Sequence, residues 1–230
     1  MKKLAIIPAR GGSKRIKRKN VKSFLGKPIL QYSITAAKRS KLFDEIMVST
    51  EDMEIGQVAL ENGASVPFYR SDENADDFAT TAQVIQEVIK SYEKQNIFFD
   101  QICCIYPTAP LITPNRLIEG HKLLNKHNYE VVFPVVPFSY PIQRSLKMKD
   151  TQRNQIGMLW PENQFQRSQD LETTYHDAGQ FYWISREKFK NHLYPENCGA
   201  IVLNELEVQD IDTIEDWQLA ELKYQLSVHH

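Results

Sequence analysis

The chain has 230 residues, 42% apolar and 25% charged, with a formal net charge of −1. That is enough apolar material for one enzyme-sized α/β core, and the balanced charge argues against a nucleic-acid binder. No apolar run approaches the roughly 18 residues of a membrane span, and the run Leu4 to Ile7, ended by Pro8, is too short for a signal-peptide core, so a cytoplasmic protein away from membranes is expected.

Leu4 to Ile7 reads as a buried strand that empties into a loop of Gly11, Gly12 and Ser13. Six of the ten residues from Arg10 to Lys19 are cationic, namely Arg10, Lys14, Arg15, Lys17, Arg18 and Lys19. Glycines let backbone N–H groups approach an anion closely, and arginine and lysine neutralise it. A strand-to-loop junction loaded in this way suits a polyphosphate; a solvated turn with a basic face is the alternative. The spacing matches neither G-x-x-x-x-G-K-(S/T) nor G-x-G-x-x-G. What remains is a loop that holds a nucleoside triphosphate with side-chain cations.

Pro28 opens a helical pattern through Ile29, Tyr32, Ile34, Ala36 and Ala37, with proline in the first turn. Glu45 to Ser49 is a predicted strand, and Thr50 to Asn62 a helix closed by Gly63. Ser65 to Tyr69 reads as a strand, Ala79 to Lys94 as a helix and Gln101 to Tyr106 as a strand. In that last strand Cys103 and Cys104 face opposite sides; with Cys198 alone, neither a disulfide framework nor a zinc site is indicated. A helix from Pro114 to Lys126 and a strand from Glu130 to Val136 follow. Such alternation predicts an α/β fold, a mostly parallel, doubly wound sheet covered on both faces in three layers. Ligands of such sheets bind beyond the carboxyl ends of the strands, where the basic loop sits.

From Pro137 to Thr174 prolines break short mixed segments. With Phe138, Tyr140, Leu146, Met158, Leu159, Trp160 and Phe165 offering surface to bury, this reads as an inserted arm or lid within a single domain spanning 1–230. Regular structure resumes at Gly179 to Ile184. After the apolar run Ile201 to Leu203 comes Gln209-Asp210-Ile211-Asp212-Thr213. On an extended segment Asp210 and Asp212 point the same way and can offer two carboxylates to one cation. Hard oxygen donors beside a triphosphate suit Mg2+. Thr213 and Asp216 form a capping box on their own, which leaves the two aspartates unassigned by helix capping. The terminal His229 and His230 look like part of a tag and are given no role.

Ile7-Pro-Ala-Arg-Gly-Gly-Ser-Lys14 followed by Arg18-Lys-Asn20 resembles the signature of the sialic-acid-type cytidylyltransferases, the CMP-nonulosonic acid synthetases. The similarity extends through Val48-Ser-Thr-Glu-Asp52, Tyr106-Pro-Thr-Ala-Pro110 and Asp210-Ile-Asp212. Pro141-Ile-Gln-Arg-Ser145, Arg167-Ser-Gln-Asp-Leu-Glu172 and His176-Asp-Ala-Gly-Gln-Phe-Tyr-Trp183 are most similar to the pseudaminic acid branch. The resemblance implies a nucleotide-diphospho-sugar transferase type of fold and a reaction joining CMP from CTP to an acidic nine-carbon 2-keto sugar. It implies that Arg10, Gly11, Gly12, Ser13, Lys14, Lys19 and Asn20 hold the nucleotide, with Arg10 and Lys14 catalytic. It places Arg70 on the cytosine base and Thr80 and Thr81 near the nucleotide. It makes Asp210 and Asp212 catalytic ligands of Mg2+. It places Tyr106, Arg144, Arg167, Gln180 and Tyr182 around the sugar, and it implies a homodimer joined by the arm. Two departures lie on the sugar side: Tyr106 stands where neuraminic acid enzymes have glutamine, and His176-Asp177-Ala178 replaces an Arg-Pro-Asn run. N-acetylneuraminic and legionaminic acids are the alternative acceptors. A non-catalytic nucleotide-sugar sensor is the rival from another class, and the aspartate pair argues against it.

Overall fold

Alternating side chains in the first strand organise the molecule. The computed structural model describes residues 1–76 and 78–228; the terminal histidines lie outside them. In β1 (Lys3–Pro8), Leu4 and Ile6 pack into one cluster and Ala5 and Ile7 into another, all fully buried. A strand buried on both faces needs apolar residues at every position.

After β1 come the basic loop, a hairpin of β2 (Ser23–Phe24) and β3 (Lys27–Pro28), α1 (Ile29–Ser40), β4 (Glu45–Ser49) and α2 (Met53–Glu61). Then follow α3 (Thr81–Glu93), β5 (Gln101–Ile105), α4 (Pro114–His127) and β6 (Val131–Pro137). The segment beyond holds a hairpin of β7 (Leu146–Asp150) and β8 (Gln155–Met158). The chain returns through β9 (Tyr175–Asp177) and β10 (Phe181–Ser185), and ends with β11 (Cys198–Val202) and α5 (Ile214–Val228).

The main sheet runs β11-β6-β10-β5-β1-β4, with β9 added on the far end of β6. β4 and β5 are parallel to β1, and β11 is parallel to β6. β10 runs against both β5 and β6. The expected mostly parallel sheet is therefore mixed at its centre. The reason is connectivity: the chain leaves β6 at its carboxyl end and re-enters from that same end, so the next strand must run backwards. Residues of α1, α2 and α4 pack against Ala5, Val48, Cys103 and Trp183; α3 packs on the other face with Leu4, Ile6, Met47, Cys104 and Tyr182. Cys103 and Cys104 do face opposite sides. No described helix is long and apolar enough to cross a membrane.

A third cluster joins Ile16 of the basic loop, Phe24, Ile29, Ile211, Trp217 and Ala220. Phe24 meets Tyr32 and Trp217 edge-on at 5.2 and 5.6 Å between centroids. This packing brings the loop after the first strand against the segment before the last helix.

Several expected boundaries move, three of them for a visible reason. Asp52 caps α2, its carboxylate accepting from Ile55 N at 3.0 Å, so the helix starts at Met53 and Thr50 to Asp52 stay in the strand-to-helix turn. Pro28 is the N-cap residue of α1 and lies just outside the helix. The expected strand Ser65 to Tyr69 is a single bridge between Ser65 and Met47, because Pro67 has no N–H to continue a ladder.

Candidate active site

The basic loop is pinned before any ligand arrives. Asn20, 5% exposed, donates to the Arg10 carbonyl at 2.8 Å. Gly11 N donates to Glu51 Oε1 at 2.6 Å. A Cβ at Gly11 would stand 2.5 Å from Asp52 Oδ2, so only glycine fits there, whereas one at Gly12 would meet open space. Gly12 therefore leaves room for an incoming group to approach the backbone. Not every cation of the loop faces that space. Arg18 grips Asp52 through two hydrogen bonds, at 2.5 and 3.0 Å, and also pairs with Glu54. It holds Asp52's carboxyl down at about 2.

A cavity of about 240 Å³ opens at the carboxyl end of β1 and is lined by Arg10, Ser13, Lys14, Lys19 and Asn20 from the loop, with Arg70, Thr81 and Tyr106 opposite. Arg10 also donates to the Asp76 carbonyl at 2.9 Å. Arg70 is 8% exposed; its Nε donates to Ser49 Oγ at 3.1 Å and its Nη2 to the Ser49 carbonyl. Burial disfavours its charge, and the nearby carboxylates of Glu51 and Glu87 offset that cost. Thr81 Oγ1 lies 3.1 Å from the Tyr106 hydroxyl. Thr80 serves as the N-cap of α3, in a capping box with Gln83, and does not line this cavity.

Asp210 and Asp212 lie in the turn between β11 and α5. The capping box forms as expected, with Asp216 accepting from Thr213 N at 2.8 Å and also from Asp212 N at 3.1 Å, and it leaves both aspartate carboxylates outside the cap. Asp212 pairs with Arg15 at 2.5 Å and lies 3.8 Å from Lys19 Nζ. Lys19 Nζ donates to the Ile211 carbonyl at 2.7 Å, and burial lowers its basicity. The Asp210 carboxyl is pushed up, by lost hydration first and then by the charge on Asp212, with Lys19 opposing. Two mutually repelling carboxylates fit a hard divalent cation, which would relieve that repulsion. Among the described residues no larger cluster of His, Cys, Asp or Glu offers to hold an ion. A two-carboxylate site suits Mg2+, which keeps several waters and completes its shell with phosphate oxygens.

The residues expected around the sugar are spread over three places. Tyr106 lines the cavity. Tyr182, 3% exposed, lies behind it with ring centroids 5.6 Å apart. Gln180 is buried and donates to the Glu207 carbonyl at 2.6 Å, so its amide holds the β11–α5 connection in place. Arg144 and Arg167 sit on the exposed segment beyond β6, where Arg144 donates to Ser168 Oγ at 3.2 Å and Arg167 pairs with Asp170 at 2.7 and 3.0 Å. Neither lines the cavity. Two groups carried no assigned role from the sequence. Glu51 supports the loop through Gly11, and its second oxygen is buried with no partner among the described residues. Asp177 accepts hydrogen bonds from both Tyr182 and Tyr194 at 2.7 Å.

Comparison with known proteins identifies the family and the fold. A family model described as Cytidylyltransferase matches residues 4–209. The pseudaminic acid cytidylyltransferase of Campylobacter jejuni is 40% identical over 229 residues, covering 99% of this chain and 98% of that protein. The CMP-N,N'-diacetyllegionaminic acid synthase of Legionella pneumophila is 33% identical, covering 99% and 98%. Among solved structures, a CMP:2-keto-3-deoxy-manno-octonic acid synthetase complexed with CTP superimposes with a TM-score of 0.71 over the full length of both chains, at 16% identity, a likeness of fold.

Proposed function

We propose a substrate and a reaction course on a plain premise: the chain belongs to the cytidylyltransferase family and is a nucleotidyltransferase. Its substrates are CTP and a nine-carbon 2-keto acid sugar, with pseudaminic acid the acceptor supported by 40% identity over nearly the whole length of enzymes of that name. The observation that carries the nucleotide half is one cavity at a strand's carboxyl end, ringed by Arg10, Lys14, Lys19 and Arg70.

The anomeric hydroxyl of the sugar attacks the α-phosphorus of CTP. A new oxygen–phosphorus bond forms, the bond to the β-phosphate oxygen breaks, and pyrophosphate leaves as the hydroxyl gives up its proton. Substrates this anionic are held together mainly by position and by charge neutralisation. Arg10, Lys14 and Lys19 supply fixed positive charge around the phosphates. Arg70, clamped to the end of β4, presents a guanidinium for the base. Asp210 and Asp212 would hold Mg2+, which when bound neutralises phosphate charge. The segment 137–174, with its exposed apolar side chains, is read as the contact of a homodimer.

The test is pyrophosphate release from CTP offered with pseudaminic, legionaminic or N-acetylneuraminic acid in turn. Fast release with pseudaminic acid is expected. Preference for either of the others would reassign the acceptor, and release with none would end the proposal.

A further inference from the structure

The turn that carries Asp210 and Asp212 is held largely by side chains. Once Leu203 N has donated to the Val135 carbonyl at 2.8 Å, the chain leaves the sheet and enters α5 only at Ile214. Within this stretch Glu207, three residues before Asp210, is gripped twice. Arg116, in the first turn of α4, clamps its carboxylate as a fork, with Nε donating to Oε1 at 2.9 Å and Nη2 to Oε2 at 3.0 Å. Gln180, just before β10, donates to its carbonyl at 2.6 Å. Oε2 also accepts from Asn204 N at 3.0 Å, which closes the turn on itself. From the other side Lys223 of α5 donates to the Glu205 and Val208 carbonyls at 2.9 and 2.7 Å. Both side chains of the fork are only 28% exposed. A shielded, two-bonded pair of this kind fixes geometry in a way that a mobile surface pair does not.

Two carboxylates brought together for one cation repel each other. A turn free to relax would spread them, and an arriving cation would have to draw them back at a cost to its own binding. We propose that Glu207 is a positioning residue: held by Arg116 and Gln180, it keeps Asp210 and Asp212 in the arrangement that takes a divalent cation. The inference rests on the metal half of the proposed function and adds the residues that preorganise it. It also gives Gln180 a task other than contact with the sugar.

The test uses Mn2+, which stands in for Mg2+ and is read by electron paramagnetic resonance, titrated into the whole protein with CTP bound and protein in excess. Arg116→Met and Glu207→Gln should each weaken Mn2+ binding about tenfold, the order lost when support behind metal ligands is removed. CTP binding in EDTA should stay within about twofold, because the residues lining the cavity are untouched. The double variant should bind Mn2+ little worse than either single one, since both changes break the same fork. Gln180→Met should weaken Mn2+ binding in the same direction and, at saturating metal, leave the sugar's KM nearly unchanged. Glu119 accepts from the same guanidinium at 2.7 Å but lies on α4 itself, so Glu119→Gln should leave Mn2+ binding as it is. A lower melting temperature with normal Mn2+ binding in both fork variants would make the fork merely structural and overturn the inference. Equal losses of Mn2+ and CTP binding, or full additivity in the double variant, would overturn it too. Should Glu207→Gln fail to fold, Arg116→Lys carries the test, because it keeps the charge and loses the fork; normal Mn2+ binding there overturns the inference equally. A parent protein that binds CTP yet takes up no more Mn2+ than CTP alone defeats the metal reading itself, a distinguishable result.

Discussion

Arg15 Nη1 lies 2.5 Å from Asp212 Oδ2, so the loop after the first strand and the carboxylates before the last helix close on one another. Ile16 and Ile211, their neighbours in sequence, are both buried in the same apolar cluster. Packing thus sets the distance between the cations proposed to hold phosphate and the carboxylates proposed to hold a metal. The two halves of the site are positioned by one small core.

Arg10 and Lys14 line the cavity from a surface loop. Arg10→Ala or Lys14→Ala should each lower turnover about 100-fold or more, the loss expected when one charge contact to the transition state disappears. Circular dichroism and the melting temperature should be little changed, because neither side chain belongs to the core. A near-normal rate in either variant would show that the phosphates bind elsewhere.

Asp212→Asn keeps the shape and removes a charge. Turnover should collapse, while CTP binding measured in EDTA persists. Arg15→Ala should have the opposite sign for the cation: with the competing guanidinium gone, titration calorimetry should show tighter Mg2+ binding in the presence of CTP. Undiminished activity in EDTA would remove the metal from the scheme.

Arg18 is expected to matter for stability. Asp52's carboxyl is drawn from its ordinary 3.8 to about 2, first by the hydrogen bonds from Arg18 and then, against desolvation, by the Ile55 N–H. A carboxylate more acidic in the folded state stabilises the fold above its unfolded pKa and loses that contribution as pH falls through the folded one. Arg18→Met should cost about 1–2 kcal/mol at pH 7, discounted for partial exposure. Denaturant unfolding should show the gap between variant and parent closing between about pH 4 and pH 2. A gap unchanged at the acid end would assign the loss to packing.

Strands buried on both faces were legible because each needs an unbroken apolar run, and Glu45 to Ser49 has the same ends in sequence and structure. The basic loop was legible as chemistry and Arg70 only through the family resemblance, and the fold brings them to one cavity. Direction was harder: nothing in Phe181 to Ser185 reports that it runs against its neighbours, since that depends on where the chain re-enters the sheet. Arg18 looked like one more cation for phosphate, because composition does not say which way a side chain turns. The Asp177 hub was hidden for a similar reason. Its phenol partners lie 5 and 17 residues on, and only the fold brings both to one oxygen. Gln180 reads as a polar residue beside a site, yet its amide is taken by the Glu207 carbonyl.

The last prediction concerns the hairpin of β7 and β8 and the turns around it. Leu146, Met148 and Ile156 are each more than half exposed there, and Phe165 is 89% exposed. Exposed apolar side chains gathered on one segment usually mark a contact, and a two-fold symmetric dimer is the commonest closed arrangement. Arg144 and Arg167 lie on the same segment and do not line the cavity. In a dimer the segment can carry them to the partner's cavity, where a planar guanidinium suits the sugar's carboxylate. Light scattering should therefore show a dimer at assay concentration, and Phe165→Asp should weaken it. Arg167→Ala should raise the KM of the acidic sugar far more than that of CTP, although it also breaks the pair with Asp170. Asp170→Ala separates these effects: it breaks the same pair but should leave the sugar's KM nearly unchanged. A fully active monomer would sink the dimer and leave the nucleotide cavity as described.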